Sequence, residues 1–119
     1  MKITSLYPLY TTNDIDSSLI RWSRIGFQER HVIETPDYTV HVLKNEAGEK
    51  IDMVYADFAY EESFFAIRMN VDNFDEGKDF LLSSGYAEDS SLYTCSFAKF
   101  KVFKHIQNGT KVILIEHIK

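Results

Sequence analysis

The chain has 119 residues and a net charge of −5, with 45% hydrophobic and 26% charged residues. This composition is typical of a soluble globular protein with one domain or two paired half-domains, and it excludes a disordered chain. The acidic balance argues against nucleic acid as a partner, because phosphate binding needs clustered Lys and Arg. No apolar run approaches the roughly 20 residues that span a bilayer, so no membrane partner is expected.

The single cysteine, Cys95, excludes an internal disulfide and any cysteine-based zinc cluster. No histidine or cation lies close to Cys95 in the sequence to activate its thiol, so we do not expect a nucleophilic role. The N-terminal residues lack the apolar stretch of a signal peptide. We therefore expect a cytoplasmic protein.

The first half of the chain predicts a βαβββ module. Its first segment is rich in β-branched and aromatic residues, as strands are. Asn13, Asp14 or Asp16 can cap the helix that follows, and Gly26 supplies the left-handed residue that ends this helix. Along the helix, apolar residues that include Trp22 recur at helical spacing and predict a core-facing side. The strands predicted for this module are residues 3–12, 31–34, 38–44 and 50–55.

The second half of the chain predicts the same order of elements. Asn73 caps a helix that Gly85 closes, and Asn108 with Gly109 is a strong hairpin-turn signal. Residues 57–63 are the expected linker between the halves. The strands predicted for this module are residues 64–71, 88–93, 99–105 and 111–118.

The two halves are an internal repeat. At an offset of 59, Asp14 falls on Asn73 and Gly26 falls on Gly85, and at an offset of 61 residues 48–54 fall on 109–115. Each half has about 55 residues, which is marginal for independent folding, so the halves should share a core or exchange one with a partner chain. We predict a single domain over residues 1–119, with modules at 1–57 and 62–119.

Strand alternation divides the side chains of the predicted sheet between two faces. Ile67, Met69 and Val71 form an apolar face that should meet a helix. The opposite face mixes charged and apolar residues, which is typical of a solvated surface or of a pocket with a few polar groups among apolar walls. Its members are Tyr7, Leu9, Asp52, Val54, Ala66, Arg68, Asn70, Ile113 and Ile115.

Two tandem βαβββ modules, with Asp14, Ser18 and the Gly26-Phe27 pair at their spacing on the first helix, resemble the vicinal oxygen chelate superfamily. That superfamily includes glyoxalase I, bleomycin-resistance proteins and extradiol dioxygenases. The resemblance covers nearly the whole chain. It implies an α+β fold in which the two modules form an eight-stranded, curved, mixed sheet, a cup with its helices outside, completed within one chain or across a homodimer.

The metalloenzymes of this superfamily place one metal ligand on the first strand and one on the fourth strand of each module. The corresponding positions here are Tyr7, Asp52, Ala66 and Ile113. Only Asp52 readily binds a divalent cation, because a phenol titrates near pH 10 and the other two side chains carry no donor. A catalytic ion needs about three protein ligands. We therefore expect no metal site, and no cofactor.

Several roles are open for the polar residues of the mixed face. Asp52 can hold a cationic ligand, pair with Arg68 or face water. Arg68 can bind a carboxylate or phosphate through two parallel hydrogen bonds. Tyr7 can stack on a ligand or fill the space of a metal.

The first functional hypothesis is a metal-independent binding protein of the glyoxalase and bleomycin-resistance type. It holds a small, partly apolar molecule as a homodimer, and the acidic balance is compatible with a cationic ligand. The residues predicted to bind this ligand are Tyr7, Leu9, Asp52, Val54, Arg68, Asn70 and Ile113.

Two alternatives stand beside this hypothesis, and catalytic residues are assigned in neither. One is a lyase, isomerase or dioxygenase with a displaced metal site that uses Asp52 and His41. The other is a non-catalytic scaffold in which the cup is collapsed. The lack of good donor side chains at most of the metal positions favours binding over catalysis.

Overall fold

The computed structural model describes residues 1–34, 36, 38–55, 64–94 and 98–118. Within these ranges the chain forms nine strands and two helices. The first half contains β1 (Ile3–Thr12), α1 (Ile15–Arg24), β2 (Gln28–Glu34), β3 (Thr39–Lys44) and β4 (Lys50–Tyr55). The second half contains β5 (Phe64–Val71), α2 (Phe74–Ser83), β6 (Tyr86–Glu88), β7 (Tyr93–Thr94), β8 (Ala98–His105) and β9 (Lys111–His117). The α+β class and the two tandem modules are confirmed, with β6 and β7 together replacing one predicted strand.

The chain divides into two compact units. The first unit is Pro8–Phe65, and the second unit is Met1–Tyr7 together with Ala66–Lys119. Strands β1 and β5 each contribute residues to both units. Strand pairing is mixed as predicted, because β1–β4 and β5–β9 are parallel while the other described pairs within the units are antiparallel. Neither described helix is long and apolar enough to cross a membrane.

In the first unit the strands follow the order β2-β3-β4-β1, and α1 covers one face of them. Trp22 of α1 makes edge-to-face contacts with Tyr10 and Phe27, at ring-centroid distances of 5.5 and 5.6 Å. Tyr10 is paired with Met53 of β4. Because directly paired residues share a face, Tyr10 and Met53 mark the side that faces the helix, as the alternation of β4 predicts.

Strand β2 is longer than predicted, since it begins at Gln28 and not at His31. Every residue of β2 is exposed, so its first residues carry none of the apolar alternation that marks a strand. The register against β3 also shifts between Glu29 and His31. This bulge interrupts the two-residue period of the strand just before His31, which is where the predicted strand begins.

In the second unit the strands follow the order β5-β9-β8-β6, with β7 also paired to β8. A core forms between α2 and one face of these strands, and Ile67 and Tyr86 pack against it. This arrangement confirms that the odd-numbered apolar residues of β5 face the helix. The core residues are Met69, Val71, Phe74, Leu81, Phe103, Val112 and Leu114.

The strand predicted at residues 88–93 is wrong, because β6 ends at Glu88 and β7 begins at Tyr93. Between them, the Ser90 hydroxyl accepts the backbone N–H of Val102 at 2.9 Å. This side chain takes a hydrogen bond that a carbonyl of a continuous strand would otherwise accept. Serine competes with backbone pairing in this way, so the apolar pattern alone misplaces the strand.

The internal repeat is reproduced by the local geometry. Asp14 caps α1 by accepting the N–H of Ser17, and Asn73 caps α2 by accepting the N–H of Glu76. Gly26 and Gly85 follow the helices at φ of 95° and 92°, a region that favours glycine. The strand pairs also correspond, because Leu9 lies opposite Asp52 in the first half and Arg68 lies opposite Ile113 in the second.

Gly77 gives a test of the packing between α2 and β9. A Cβ atom at this position would lie 2.9 Å from Leu114 Cδ1 and 3.3 Å from Val71 Cγ2. Glycine to alanine in an open helix adds up to about 1 kcal/mol of stability, but here we expect Gly77→Ala to destabilise by about 1 kcal/mol through overpacking. In a Leu114→Ala background, which removes the nearer atom, the same change should become neutral or stabilising. Urea unfolding of the four proteins measures this coupling, and a stabilised Gly77→Ala single variant would contradict the packing.

Glu88 links β6 to α2 and β8 through ion pairs with Lys78 and Lys101, each at 3.0 Å. The hydrogen bonds from Lys78 and Lys101 lower the pKa of Glu88, and the bond to Glu88 raises the pKa of Lys78. A lowered carboxyl pKa stabilises the fold above its ordinary value of 4.5, and this contribution is lost as the pH falls through the lowered value. The Glu88 and Lys78 side chains are more than one third exposed, so the effect is small and screened by salt.

We therefore expect Glu88→Gln to lower the urea midpoint slightly at neutral pH and low salt, with a smaller difference in about 1 M salt. The difference should disappear in acid. Glu46→Gln, on the exposed β3–β4 turn, is the control. A pH-independent effect of Glu88→Gln would show that the charge is not the cause.

Candidate functional site

In the first unit, the face opposite α1 brings together the three site residues predicted there. Leu9 lies opposite Asp52 in the parallel β1–β4 pair, and Val54 follows on the same face of β4. Val42 of β3 lies on the other side of Asp52. Leu9 and Val42 are each 2% exposed, and Val54 is also buried. Asp52 therefore sits among hydrocarbon side chains.

Asp52 is itself buried, with 5% of its surface exposed. Its Oδ1 atom is buried and accepts no hydrogen bond. The ion pair that the structure gives Asp52 involves this same Oδ1 atom, which lies 3.5 Å from the Nζ atom of Lys50, a half-exposed side chain of the same strand. A buried carboxylate without hydrogen bonds is costly. A donor from a bound molecule would offset this cost.

His41 does not join Asp52. His41 lies opposite Met53 in the β3–β4 pair, whereas Asp52 lies opposite Val42. Since paired residues share a face and neighbours along a strand alternate, His41 and Asp52 point to opposite faces. The Nδ1 atom of His41 is 2.6 Å from Glu29 Oε2, on the face covered by α1. The hypothesis of a displaced metal site built from Asp52 and His41 is therefore wrong in its geometry.

In the second unit, the face opposite α2 carries the remaining site residues. Arg68 lies opposite Ile113, and Asn70 lies opposite Ile115. The Arg68 Nε atom donates to Asn70 Oδ1 at 3.0 Å, and its Nη2 atom is 3.3 Å from His117 Nε2. Because a guanidinium has no acceptor, His117 Nε2 accepts this bond. The Arg68 side chain is thus held in one orientation.

Tyr7 completes the surroundings of Arg68, whose Cζ atom lies 5.4 Å from the centre of the Tyr7 ring. This distance is within the range of a cation–π interaction. Tyr7 therefore contacts a cation of its own unit, a contact that the sequence pattern does not predict. Ile113 is 1% exposed, and Ala66 is also buried.

The residues at the metal positions do not fit a divalent metal. In the second unit, Ala66 and Ile113 have hydrocarbon side chains, and the Tyr7 phenol packs against a guanidinium. In the first unit, Asp52 is the one carboxylate at these positions. Among the described residues, no group of three or more His, Cys, Asp or Glu side chains could hold a metal ion. Cys95 lies outside the described residues.

Two partners on these faces, Lys50 and His117, were not predicted from the sequence. A signal for both was present, because Lys50 lies two residues before Asp52 and His117 lies two residues after Ile115. In each case strand alternation alone places the pair on one face.

A surface depression of about 420 Å³ in the first unit lies away from the predicted site. It is bordered by the start of β2 and by the β3–β4 turn, with Arg30, Lys44 and Glu46 among its residues. None of the predicted ligand-binding residues lines it. We do not assign it to the site, because it lies on a turn and an edge strand and gathers no unpaired buried group.

Comparison with known proteins gives the fold. No family model and no curated protein matches the chain. Among solved structures, methylmalonyl-CoA epimerase from Mycobacterium tuberculosis matches with a TM-score of 0.52 at 13% identity, over 98% of this chain and 90% of that one. A glyoxalase/bleomycin resistance protein/dioxygenase superfamily member from Vibrio splendidus matches with a TM-score of 0.51 at 13% identity, over 94% of this chain and 97% of that one.

An uncharacterized protein from Methanosarcina mazei is similar to the same degree, with a TM-score of 0.51 and 16% identity over 100% of this chain and 96% of that one. These matches span nearly the whole chain, so the similarity covers both halves of it. The identities are too low to carry over an activity. The chain therefore has the vicinal oxygen chelate fold found in glyoxalase/bleomycin resistance/dioxygenase proteins.

Proposed function

We propose that this protein binds a small, partly apolar molecule on the strand faces opposite its helices, without a divalent metal ion. The observation that carries the proposal is the buried Oδ1 atom of Asp52, which accepts no hydrogen bond among Leu9, Val42 and Val54. An ammonium or other N–H group of a ligand would supply this bond. The proposed contact residues are Tyr7, Leu9, Asp52, Val54, Arg68, Asn70 and Ile113.

The donor set supports binding over metal chemistry. A catalytic metal ion needs about three protein ligands and one open position. Ala66 and Ile113 offer none, and the phenol of Tyr7 is a poor ligand at neutral pH. Asp52 alone does not make such a site. The similarity to methylmalonyl-CoA epimerase and to the Vibrio splendidus protein supports a small-molecule site in this fold, but does not select a ligand.

A thermal-shift experiment with matched probes tests the proposal. Benzylamine carries the cation that Asp52 would bind, and benzyl alcohol has a similar shape without the charge. We expect benzylamine to raise Tm by a few degrees at saturation, since a ligand at a hundredfold excess over Kd adds about 2.7 kcal/mol. Asp52→Asn should lose this shift, and Asp79→Asn, on the exposed side of α2, should keep it. Equal shifts for both probes in both variants would contradict the role of Asp52.

A second candidate is a non-catalytic scaffold in which this face is packed by the protein itself. The near-complete burial of Leu9, Ala66 and Ile113 favours it. The scaffold would show no thermal shift with either benzylamine or benzyl alcohol, and Leu9→Ala would act on stability alone. A ligand that binds the wild type and is lost in Leu9→Ala excludes the scaffold.

We further propose that residues 1–119 act as one domain and form a homodimer in the cytoplasm. The resemblance to the superfamily supports the dimer, and the single cysteine is compatible with a reducing compartment. Light scattering after size-exclusion chromatography tests the dimer. A monomer at high micromolar concentration would refute it.

A further inference from the structure

Arg68 is a cation in apolar surroundings. It lies on β5 between Ala66 and Asn70 and opposite Ile113 of β9. Ala66, Ile113 and Ile115 are all buried, whereas Arg68 is partly exposed. A charged group beside low-dielectric walls interacts more strongly with an opposite charge than the same group in open water. The position therefore favours an anionic partner.

The contacts of Arg68 orient the guanidinium without neutralising its charge. Asn70 and His117 accept one hydrogen bond each, and Tyr7 offers the face of its ring. Within the described part of the chain, no carboxylate forms an ion pair with Arg68. By contrast, three lysines on β8 and β9 of the same unit each lie within 3.5 Å of a carboxylate, although Lys104 of β8 has no such pair among the described residues. These pairs are Lys99–Glu116, Lys101–Glu88 and Lys111–Asp89.

The remaining donors of Arg68 match a planar anion. A guanidinium has five N–H donors. The Nε donor is used by Asn70 and one Nη2 donor is used by His117, so three N–H groups on the two terminal nitrogens have no hydrogen-bond partner among the described residues. Two of them can bind the two oxygens of a carboxylate, which is the preferred geometry of an arginine–carboxylate pair.

We infer that Arg68 is the anchor for the carboxylate group of a small organic acid. This inference rests on the proposed function, because Arg68 is one of the contact residues proposed there. Tyr7 and Asn70 act as positioning residues, since they fix the plane of the guanidinium before the ligand arrives. Pre-organisation of this kind increases affinity by lowering the ordering cost of binding.

NMR of the Arg68 Nε–Hε resonance tests the anchor directly. The probes are benzoate, its neutral analogue benzamide, and inorganic phosphate. We expect benzoate to shift this resonance in a saturable way, benzamide to leave it unchanged and phosphate to bind more weakly. Arg68→Lys keeps the positive charge but loses the two parallel N–H donors of the guanidinium, so it should weaken benzoate binding about tenfold or more. Arg68→Met should abolish it, and Arg24→Met, on exposed α1, should not change it.

Variants of Tyr7 test whether its ring positions the Arg68 guanidinium. Tyr7→Phe keeps the ring and should bind benzoate like the wild type, whereas Tyr7→Leu should weaken binding while leaving the fold intact by circular dichroism. Benzoate binding that survives Arg68→Met, or a response to benzamide equal to that of benzoate, would overturn the anchor. Tighter binding of phosphate would overturn the carboxylate class. If benzylamine still binds through Asp52 while benzoate fails, the anchor is wrong and the proposed function stands.

Discussion

Replacing Phe103 with alanine is expected to lower the free energy of unfolding by about 3–5 kcal/mol. The Phe103 side chain is fully buried and lies opposite Val112 in the β8–β9 pair. It belongs to the core between α2 and the strands, together with Leu81 and Leu114. Truncation removes the transfer free energy of the ring and leaves a cavity that this close-packed core cannot fill.

Urea unfolding followed by circular dichroism measures the effect of Phe103→Ala. Phe80→Ala is a matched control, because Phe80 lies on α2 but is 48% exposed, and its truncation should cost about 0.5 kcal/mol or less. Phe103→Leu should cost less than about 1.5 kcal/mol, since it preserves most of the volume. Equal losses for Phe103→Ala and Phe80→Ala would contradict the assignment of the core.

Asp52→Asn should have the opposite effect on stability, with an expected gain of about 1 kcal/mol. The wild-type carboxylate is buried with one oxygen unsatisfied and only a half-exposed Lys50 nearby. Asparagine has nearly the same shape and carries no charge, so it avoids the desolvation cost of a buried carboxylate that a half-exposed lysine offsets only in part. A residue that costs stability where it stands is typical of a functional site.

The same urea experiment measures Asp52→Asn, and Asp79→Asn controls for the general loss of a negative charge. Asp79 is exposed, so its replacement should change stability by no more than about 0.5 kcal/mol. A loss of about 1 kcal/mol or more in Asp52→Asn would mean that the Lys50 pair stabilises the fold. Asp52 would then be a structural residue and not a contact for a ligand.

Much of the fold can be predicted from the sequence, because both halves of the chain carry the same order of helix and strand signals. Helix caps, left-handed glycines and apolar periods are local features, and Asp14 with Asn73 and Gly26 with Gly85 occupy matching places in the structure. The bounds of β4 and β5 also agree with the prediction. The errors fall where local signals compete, at the exposed start of β2 and at Ser90, whose hydroxyl replaces a strand hydrogen bond.

The candidate site was less predictable than the fold. Alternation correctly places Asp52 and Arg68 on the faces opposite the helices, because this needs only the two-residue period of a strand. It does not reveal which neighbours they contact. The choice of Lys50 beside Asp52, and of His117 and Tyr7 beside Arg68, depends on rotamers and on the registers of adjacent strands. The unsatisfied Oδ1 of Asp52 is a property of three-dimensional packing, so no pattern in the chain indicates it.

Calorimetric titration of zinc and nickel into chelator-treated protein tests whether the strand face that carries Asp52 binds a divalent metal ion. We expect no stoichiometric site with micromolar affinity that depends on Asp52, so the wild type and Asp52→Asn should give the same trace. A one-to-one binding event in the wild type and in Asp79→Asn that disappears in Asp52→Asn would contradict it. The strand face would then be a metal centre, and the binding proposed here would have to be replaced by metal-dependent chemistry.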